Sequence, residues 1–184
     1  MILPVYVYGQ PILRKVAIDI DKNYEGLSEF IADLWETMYK SDGVGLAAPQ
    51  VGKSIRLFVI DASGFEEDDP LAKDFKKAFL NARITEREGE EWAFTEGCLS
   101  IPTIREEVYR PAKIRMEYYD ENWQFHDEYF EGIPARIIQH EYDHIEGLLF
   151  IDHISPIRRR LIRGKLTAIS KGKVDISYKI KIAK

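Results

Sequence analysis

The sequence predicts a single α+β domain, with mixed or antiparallel strands packed around one central helix and a further helix towards the C-terminus. Three observations support this prediction. The 184 residues are enough for one domain with its own hydrophobic core. Apolar residues recur at helical spacing in some segments and alternate with polar residues in others. No internal repeat, low-complexity tract or Pro/Ser-rich linker divides the chain.

Three segments have the features of helices. "NYEGLSEFIADLWETMYKSDG" (residues 23–43) carries apolar side chains at steps of three and four residues, which predicts an amphipathic helix ending near Gly43. The run around "QHEYDH" (residues 139–144), between "EGIPARII" and "IEGLLF", predicts the central helix. Ser155 can cap, and Pro156 can open, a third helix that extends to about Ser170.

The strand candidates are spread along the whole chain. "IRLFVIDA" and "FLNARITERE" have the composition of strands, and "KIRMEYYDENWQFHDEYF" that of a hairpin around "DENW". Between the first two lies a charged excursion, "SGFEEDDPLAKDFKKA" (residues 63–78), which we expect to be exposed with one or two helical turns. "VDISYKIKI" alternates like a strand. We therefore expect a main domain over residues 1–170 and a basic tail over residues 171–184, which either folds back as an edge strand or hangs free.

The composition indicates a soluble globular protein. Hydrophobic residues make up 45% of the chain and charged residues 31%, as is ordinary for a folded domain. No apolar stretch reaches the roughly 18 to 20 residues of a membrane span, and the N-terminal segment lacks the basic start and unbroken apolar core of a signal peptide. We expect a cytoplasmic protein without membrane contact. Cys98 is the only cysteine, so no internal disulfide can form.

The net charge of -5 is unevenly distributed. From Pro156 onwards there are ten Lys and Arg and one acidic residue, Asp175, which leaves 16 basic and 30 acidic residues, a charge of -14, in the rest of the chain. The acidic part argues against a domain that wraps nucleic acid. The basic segment fits either a solvated helix face or a contact with an anionic surface such as ribosomal RNA.

The central helix carries the pattern H-E-x-x-H at His140, Glu141 and His144. Buried polar groups cost desolvation unless a partner satisfies them, so these residues need an explanation inside an apolar run. Residues four apart lie on one helix face, a turn apart. Two imidazoles placed in this way can hold a divalent metal while the glutamate acts on a water at the metal. The pattern therefore predicts a metal-dependent enzyme, provided that a third ligand exists.

The third ligand decides the class of metal site. Zinc peptidases with H-E-x-x-H take it from downstream of the second histidine. Here Glu146 should point away from the ligand face, and Asp152 and His153 lie beyond the expected helix end. Upstream, "EGCLSIP" (residues 96–102) offers Cys98. A thiolate with two imidazoles leaves a fourth position open for water, as in catalytic sites, whereas the alternative role for this cysteine is that of a small buried hydrophobic residue.

"GVGLAAPQ" (residues 43–50) is the third candidate segment. Gly43 and Gly45 would allow a ligand to approach the backbone closely. Gln50 supplies an amide donor that could stabilise a developing oxyanion. The alternative is a plain turn between a helix and a strand.

In this order, "GVGLAAPQ", "EGCLS" and "QHEYDH" resemble the three signature motifs of the peptide deformylases, and "YGQPILRK" and "HISPIRR" extend the resemblance over about residues 5–165. The resemblance implies that residues 1–170 form a deformylase-like catalytic domain. The implied metal ligands are Cys98, His140 and His144. The implied catalytic set is Glu141 as the catalytic carboxylate, Gln50 and the N–H of Leu99 as oxyanion donors, and Gly45 as a residue lining the substrate groove.

The resemblance also implies a reaction. A metal hydrolase of this family removes the formyl group from the N-terminal formyl-methionine of nascent polypeptides and releases formate. Water at the metal would attack the formyl carbon, with Glu141 acting first as general base and then as general acid. The implied cofactor is one divalent ion, Fe2+, which Ni2+, Co2+ or Zn2+ could replace.

The resemblance also suggests which residues contact the substrate. Close glycine walls would exclude an acetyl group, which is larger than a formyl group by one methyl. The substrate-binding candidates are Gly43 in the groove, Val44, Phe94, Ile133 and Ile137 around the methionine side chain, and Glu96 and Gly97 along the peptide backbone. Each apolar candidate could equally be an ordinary core residue.

Two residues complicate the picture. Arg136 lies where the family often has an apolar residue near the methionine pocket. Asp143 either pairs with an arginine such as Arg110 and steadies a ligand, or is a solvated helix residue.

Two rival functions also remain. The first is a peptidase that cuts internal amides, which needs a downstream ligand. The second is a ribosome-associated binding domain with a structural metal, which has no use for Glu141 and Gln50.

Overall fold

The computed structural model describes residues 1–184 and contains three α-helices and two β-sheets, which confirms the predicted α+β fold. The helices are α1 (Leu27–Lys40), α2 (Gly132–Ile145) and α3 (Pro156–Ser170). The strands are β1 (Val5–Tyr6), β2 (Gly45–Ala47), β3 (Leu57–Asp61), β4 (Lys76–Cys98), β5 (Ile101–Tyr119), β6 (Phe125–Glu131) and β7 (Ile180–Lys181). None of the helices has the length and apolar character needed to cross a bilayer.

The main sheet has the order β2-β3-β4-β5-β6, and every neighbouring pair is antiparallel. The expected hairpin around "DENW" is confirmed, because Asp120 accepts hydrogen bonds from the backbone N–H groups of Asn122 and Gln124 and so closes the turn between β5 and β6. The strands β4 and β5 are much longer than predicted, with 23 and 19 residues. Several register shifts interrupt their ladder, which lets this long hairpin bend.

Helix α1 has the predicted amphipathic character. It buries Phe30, Ile31, Leu34 and Met38 in a hydrophobic cluster shared with β2 and β3. It ends at Lys40, a little before the expected end near Gly43, and residues 41–44 lead directly into β2. The segment "GVGLAAPQ" is therefore not a plain turn, because it contains the short strand β2, in which Gly45 pairs with Ile60.

Helix α2 is the centre of the molecule. Every residue from Ile133 to Ile145 is buried, since the helix packs against β2, β3, β5 and β6. Its start is stabilised by the charged excursion, because the carboxylate of Asp69 accepts a hydrogen bond of 2.8 Å from the N–H of Ile133. Gly132 has a positive φ of 63°, and any Cβ at this position would collide with Asp69. The excursion itself contains two short 3-10 turns, as predicted.

Helix α3 begins as predicted, with the Ser155 hydroxyl accepting a hydrogen bond from the N–H of Arg158. The strand predicted in "VDISYKIKI" is largely wrong, because only β7 pairs, in parallel with β1. The alternation has another cause. From Gly172 to Ile180 every second residue is partly buried and the residues between them are exposed, so the tail lies extended with one face against the body.

Candidate metal centre and active site

Cys98, His140 and His144 come together in the structure, and their candidate ligand atoms all lie within 4.8 Å of one another. The two histidines project from one face of α2, as their four-residue spacing requires. Cys98 is the last residue of β4, just before the Leu99–Ser100 turn into β5, and its Sγ lies 3.4 Å from Nε2 of His144. Helix and hairpin thus supply two nitrogens and one sulfur from opposite sides.

The protonation chemistry of this cluster fits a bound cation. Desolvation would raise the pKa of the Cys98 thiol, but the rings of His144 and His140 outweigh it and lower this pKa to about 5. Burial would lower the pKa of His140, but its hydrogen bonds to Cys98 and Glu96 raise it well above 6.5. These shifts favour the thiolate, which is the form of cysteine that binds metals. The donor set of one sulfur and two ring nitrogens therefore fits a divalent cation.

Glu96 orients the first histidine. Its Oε1 lies 2.8 Å from Nδ1 of His140, which leaves the other ring nitrogen to face Cys98. Arg110 binds both oxygens of this carboxylate at 2.8 and 3.0 Å, and Arg136 binds Oε2 at 3.0 Å. Burial would raise the pKa of Glu96, but the hydrogen bonds from His140 and Arg110 hold it well below its usual range. The carboxylate is therefore fully engaged by His140, Arg110 and Arg136, and the predicted contact of Glu96 with the peptide backbone stays a prediction.

The ion network around Glu96 continues through Arg110 to Asp143. Arg110 also donates to Oδ2 of Asp143 at 2.9 Å, so the expected pairing of these two residues is confirmed. The same oxygen lies 2.7 Å from Nε2 of His153. His153 is thus a partner of Asp143 on the outer side of α2 and not a metal ligand.

The other downstream ligand candidates are also engaged elsewhere. Glu146 pairs with Arg56 at 2.6 Å, and Asp152 pairs with Arg14 at 2.6 Å. Neither carboxylate belongs to the cluster of candidate ligand atoms. This excludes the downstream ligand that a peptidase of the usual H-E-x-x-H type would need.

Glu141 is a buried carboxylate with one free oxygen. It is 4% exposed, and its Oε2 has no hydrogen-bond partner. Burial raises the pKa of Glu141 to about 7, against the lowering effect of His140 and His144. Its carboxylate lies directly against Gly45, where an added Cβ would be only 2.5 Å from Oε1. A glycine is therefore required at this position by close packing and not by backbone conformation.

Gln50 presents its amide NH2 group to the same centre. Its Oε1 accepts a hydrogen bond of 2.9 Å from the N–H of Ala47, which fixes the orientation of the amide. Its Nε2 then lies 3.6 Å from Sγ of Cys98 and 3.1 Å from Oγ of Ser100. Leu99 packs on the other glycine of the motif, because a Cβ on Gly43 would lie 2.9 Å from its Cδ1.

These groups open into one cavity of about 400 Å³. The predicted residues that line it are Gly43, Val44, Gly45, Gln50, Phe94, Glu96, Gly97, Cys98, Leu99, Ile137, His140 and Glu141. His144 is buried and is not among the lining residues. Ile133, the remaining methionine-pocket candidate, is not among the lining residues and packs in the hydrophobic core, one turn of α2 before Ile137.

Half of the 24 residues that line this cavity were not among the predicted site residues, and Arg136, Ile176 and Tyr178 are three of them. Arg136 is almost fully buried and, besides Glu96, donates to the carbonyl oxygens of Val108 and Trp92. Its partners lie far away in the sequence, so nothing local could identify it as a structural cation. Ile176 and Tyr178 of the tail also line the cavity. The only sequence signal for Ile176 and Tyr178 was the alternation of apolar and polar residues in "VDISYKIKI", which does not indicate what these residues pack against.

Known proteins share both the sequence and the fold. The family model described as "Polypeptide deformylase" matches residues 2–160. The peptide deformylase of Christiangramia forsetii is 53% identical over 188 residues, which cover 98% of this chain and 96% of that protein. The crystal structure of a peptide deformylase from Legionella pneumophila has a TM-score of 0.82 at 36% identity and covers 94% of this chain and 98% of that one. The structure of the peptide deformylase from Thermus thermophilus has a TM-score of 0.82 at 37% identity, with coverage of 94% and 99%. The chain therefore belongs to the polypeptide deformylase family of hydrolases.

Proposed function

We propose that this chain is a metal-dependent deformylase that removes the formyl group from N-terminal formyl-methionine in nascent peptides and releases formate. Membership of the family supports the reaction class. The observation that carries the proposal is the convergence of Cys98, His140 and His144 beside the unpaired buried carboxylate of Glu141. A purely structural metal site would have no use for that carboxylate.

The cofactor in this proposal is one divalent ion held by the thiolate and the two imidazoles, with Fe2+ as the native metal and Ni2+, Co2+ or Zn2+ as substitutes. A Cys/His/His donor set suits several first-row ions. When bound, the metal lowers the pKa of a water molecule and polarises the formyl carbonyl. If the native ion is ferrous, activity should fall in air and return when Ni2+ replaces the lost metal.

Glu141 moves the proton. Its free Oε2 accepts a proton from the attacking water and later donates it to the departing methionine nitrogen, which leaves as a neutral amine. Burial raises the pKa of Glu141 and favours the protonated form that returns the proton, whereas a bound cation would favour the ionised form that accepts it. The contact with Gly45 restricts the carboxylate to the side of the cavity where this transfer takes place.

Gln50 and Leu99 stabilise the charge that develops on the formyl oxygen. The Gln50 amide is already oriented by Ala47, so it needs no reorganisation during the reaction. The N–H of Leu99, in the turn after Cys98, supplies the second donor. Removing one donor of this kind from an enzyme typically costs about a hundredfold to a thousandfold in kcat.

Specificity follows from the shape of the cavity. Gly43 and Gly45 form a wall without side chains, packed so closely on Leu99 and Glu141 that a Cβ on either glycine would lie less than 3 Å from one of them, and we assign the exclusion of an acetyl group to this wall. Val44, Phe94 and Ile137 are the apolar residues that we assign to the methionine side chain, and we assign Gly97 to the peptide backbone. The buried Arg136 also lines the cavity and donates to Glu96 at 3.0 Å.

The setting of this reaction is the cytoplasm, where nascent chains carry the formyl group. Helix α3 presents a basic surface of exposed side chains, Arg159, Arg160, Arg163 and Lys165. This surface supports a contact with the ribosome through an anionic partner such as RNA. Such a contact should weaken as salt rises, because it depends on phosphate neutralisation.

Formate release from formyl-Met-Ala-Ser by anaerobically purified protein tests the proposal, together with elemental analysis of the bound metal. Glu141→Gln is the matched variant, since it keeps the size of the side chain but cannot accept a proton. Acetyl-Met-Ala-Ser should remain intact. Metal-loaded protein that releases no formate would identify a structural metal site instead, and cleavage of internal amides would identify a peptidase.

A further inference from the structure

The basic tail reaches the active-site cavity. Its partly buried residues Val174 and Ile180 pack against the core cluster that contains Val7, whereas Ile176 and Tyr178 line the cavity. Pairing of β7 with β1 anchors this placement, and the N–H of Val5 donates to the carbonyl oxygen of Lys179 at 2.9 Å. The residue directly after Tyr178 is thus fixed to the N-terminal strand.

Tyr178 contacts the turn that follows Cys98. Its hydroxyl donates a hydrogen bond of 2.8 Å to the carbonyl oxygen of Leu99. Burial and the nearby negative charge of Cys98 raise the pKa of Tyr178, so the hydroxyl keeps the proton that it donates. A residue nearly eighty positions away therefore holds one of the two residues of this turn.

The other groups of the turn are held as well. The carbonyl oxygen of Ser100 accepts a hydrogen bond of 2.8 Å from the N–H of Tyr8, and its hydroxyl accepts one of 3.1 Å from Gln50. Before the turn, Cys98 pairs with Ile101 in the ladder of β4 and β5. The Leu99 carbonyl is held from the tail, because Tyr178 is its partner.

We propose that Tyr178 is a positioning residue, which holds the Leu99 carbonyl so that the N–H of Leu99 points to the oxygen of the substrate. This inference rests on the proposed deformylase reaction, in which that N–H is an oxyanion donor. The N–H of Leu99 belongs to the Cys98–Leu99 peptide and its carbonyl to the next one, so the donor turns away only by a concerted rotation about ψ of Cys98 and φ of Leu99. Tyr178 holds the far side of Leu99 and so opposes this rotation, while pairing with Ile101 holds Cys98. The tail therefore contributes to the active site by positioning an oxyanion donor, in addition to packing on the surface.

The test is Tyr178→Phe, which removes one hydroxyl and keeps the ring that fills the cavity wall. Tyr109→Phe is the matched control, since Tyr109 is 59% exposed on β5 and lies outside the cavity. Both nickel-loaded variants are assayed for kcat and KM separately with formyl-Met-Ala-Ser. Metal content is measured on the same samples, and hydrogen exchange is measured over residues 98–101.

We expect kcat of Tyr178→Phe to fall about tenfold or more, with KM nearly unchanged, because an oxyanion donor acts mainly in the transition state. Metal content should equal that of the wild type, and hydrogen exchange in the turn should be faster. The control should match the wild type in all measurements.

Three results would overturn the inference. The first is a kcat within about twofold of the wild type, since a misdirected donor costs more than that. The second is a loss of metal in Tyr178→Phe, which would mean that the tyrosine supports Cys98 and not the donor. The third is unchanged hydrogen exchange in the turn. If the wild type itself releases no formate, the proposed function fails, and the exchange comparison still decides whether Tyr178 holds the turn.

Discussion

Substitution of Gly45 by alanine tests the close packing between the glycine motif and the catalytic carboxylate. Gly45 lies in β2 with an extended backbone that alanine adopts easily, so the change adds only a methyl group. That methyl would lie 2.5 Å from Oε1 of Glu141 and 2.8 Å from both Cδ and Cγ. The backbone cannot withdraw, because Gly45 is paired with Ile60 in the sheet.

The size of the effect follows from these distances. Ordinary contacts begin at 3.4 Å, so Oε1 has to move by the difference from 2.5 Å, or about 0.9 Å. Rotation of the carboxylate alone does not relieve the clash, since Cγ is also too close. A displacement of about 1 Å in a catalytic group can cost about a hundredfold in rate. We therefore expect kcat of Gly45→Ala to fall by about this factor.

The assay is formate release from formyl-Met-Ala-Ser, with metal content and thermal unfolding measured on the same preparation. Gly64→Ala is the matched control, because a Cβ at that position meets nothing within 4 Å. Metal content should not change, since Glu141 is not one of the three candidate ligands. A kcat of Gly45→Ala within about threefold of the wild type would refute the reasoning, because the carboxylate would then tolerate the displacement.

Three further predictions concern the rest of the molecule. Glu96→Gln leaves the buried cation of Arg136 without a carboxylate and Arg110 with Asp143 alone, so the free energy of unfolding at pH 7 should fall by about 3 kcal/mol in denaturant titrations. The pKa of Glu96 in the folded protein lies well below 4.5, so this stabilisation is complete above about pH 4.5 and is lost as the pH falls further; the difference between wild type and variant should shrink there. Cys98→Ala should lose the bound metal in elemental analysis, since two imidazoles alone remain. Gly164→Ala should raise the free energy of unfolding by about 0.5 to 1 kcal/mol, because the residue is exposed in α3 and its Cβ meets nothing within 4 Å.

Each of these has a clear contrary result. Equal stability of wild type and Glu96→Gln at pH 7 would mean that the ion network contributes nothing net. Full metal content in Cys98→Ala would remove the sulfur from the ligand set. A lower melting temperature in Gly164→Ala would show that the helix needs the glycine.

The predictions that succeeded depended on local patterns. Helix α2 follows from its apolar spacing, and the four-residue step between His140 and His144 then places both rings on one face. The start of α3 follows from Ser155 and Pro156, since a cap acts within one turn. In the same way Asp120 determines the β5–β6 turn within a few residues.

The features that were missed depend on partners that are distant in the sequence. Residues 89–91 of β4 lie beyond the predicted strand, are all exposed and carry no apolar alternation, but they are held as a strand by β5, with Glu91 paired with Pro111. The alternation of apolar and polar residues in the tail reflects packing of one face against the body. Such packing does not require hydrogen bonds to a neighbouring strand. Arg136 looked like a misplaced cation in an apolar helix because its partner Glu96 belongs to another element.

The link between Asp69 and Ile133 has a consequence for anyone who redesigns this enzyme. The side chain of Glu131 forms no cap hydrogen bond, so α2 depends at its start on a carboxylate from the charged excursion. Trimming that loop to make a smaller catalyst would leave the helix frayed about two turns before His140. A shortened version would need a replacement close by, such as Glu131→Ser, before the loop could be removed without harm.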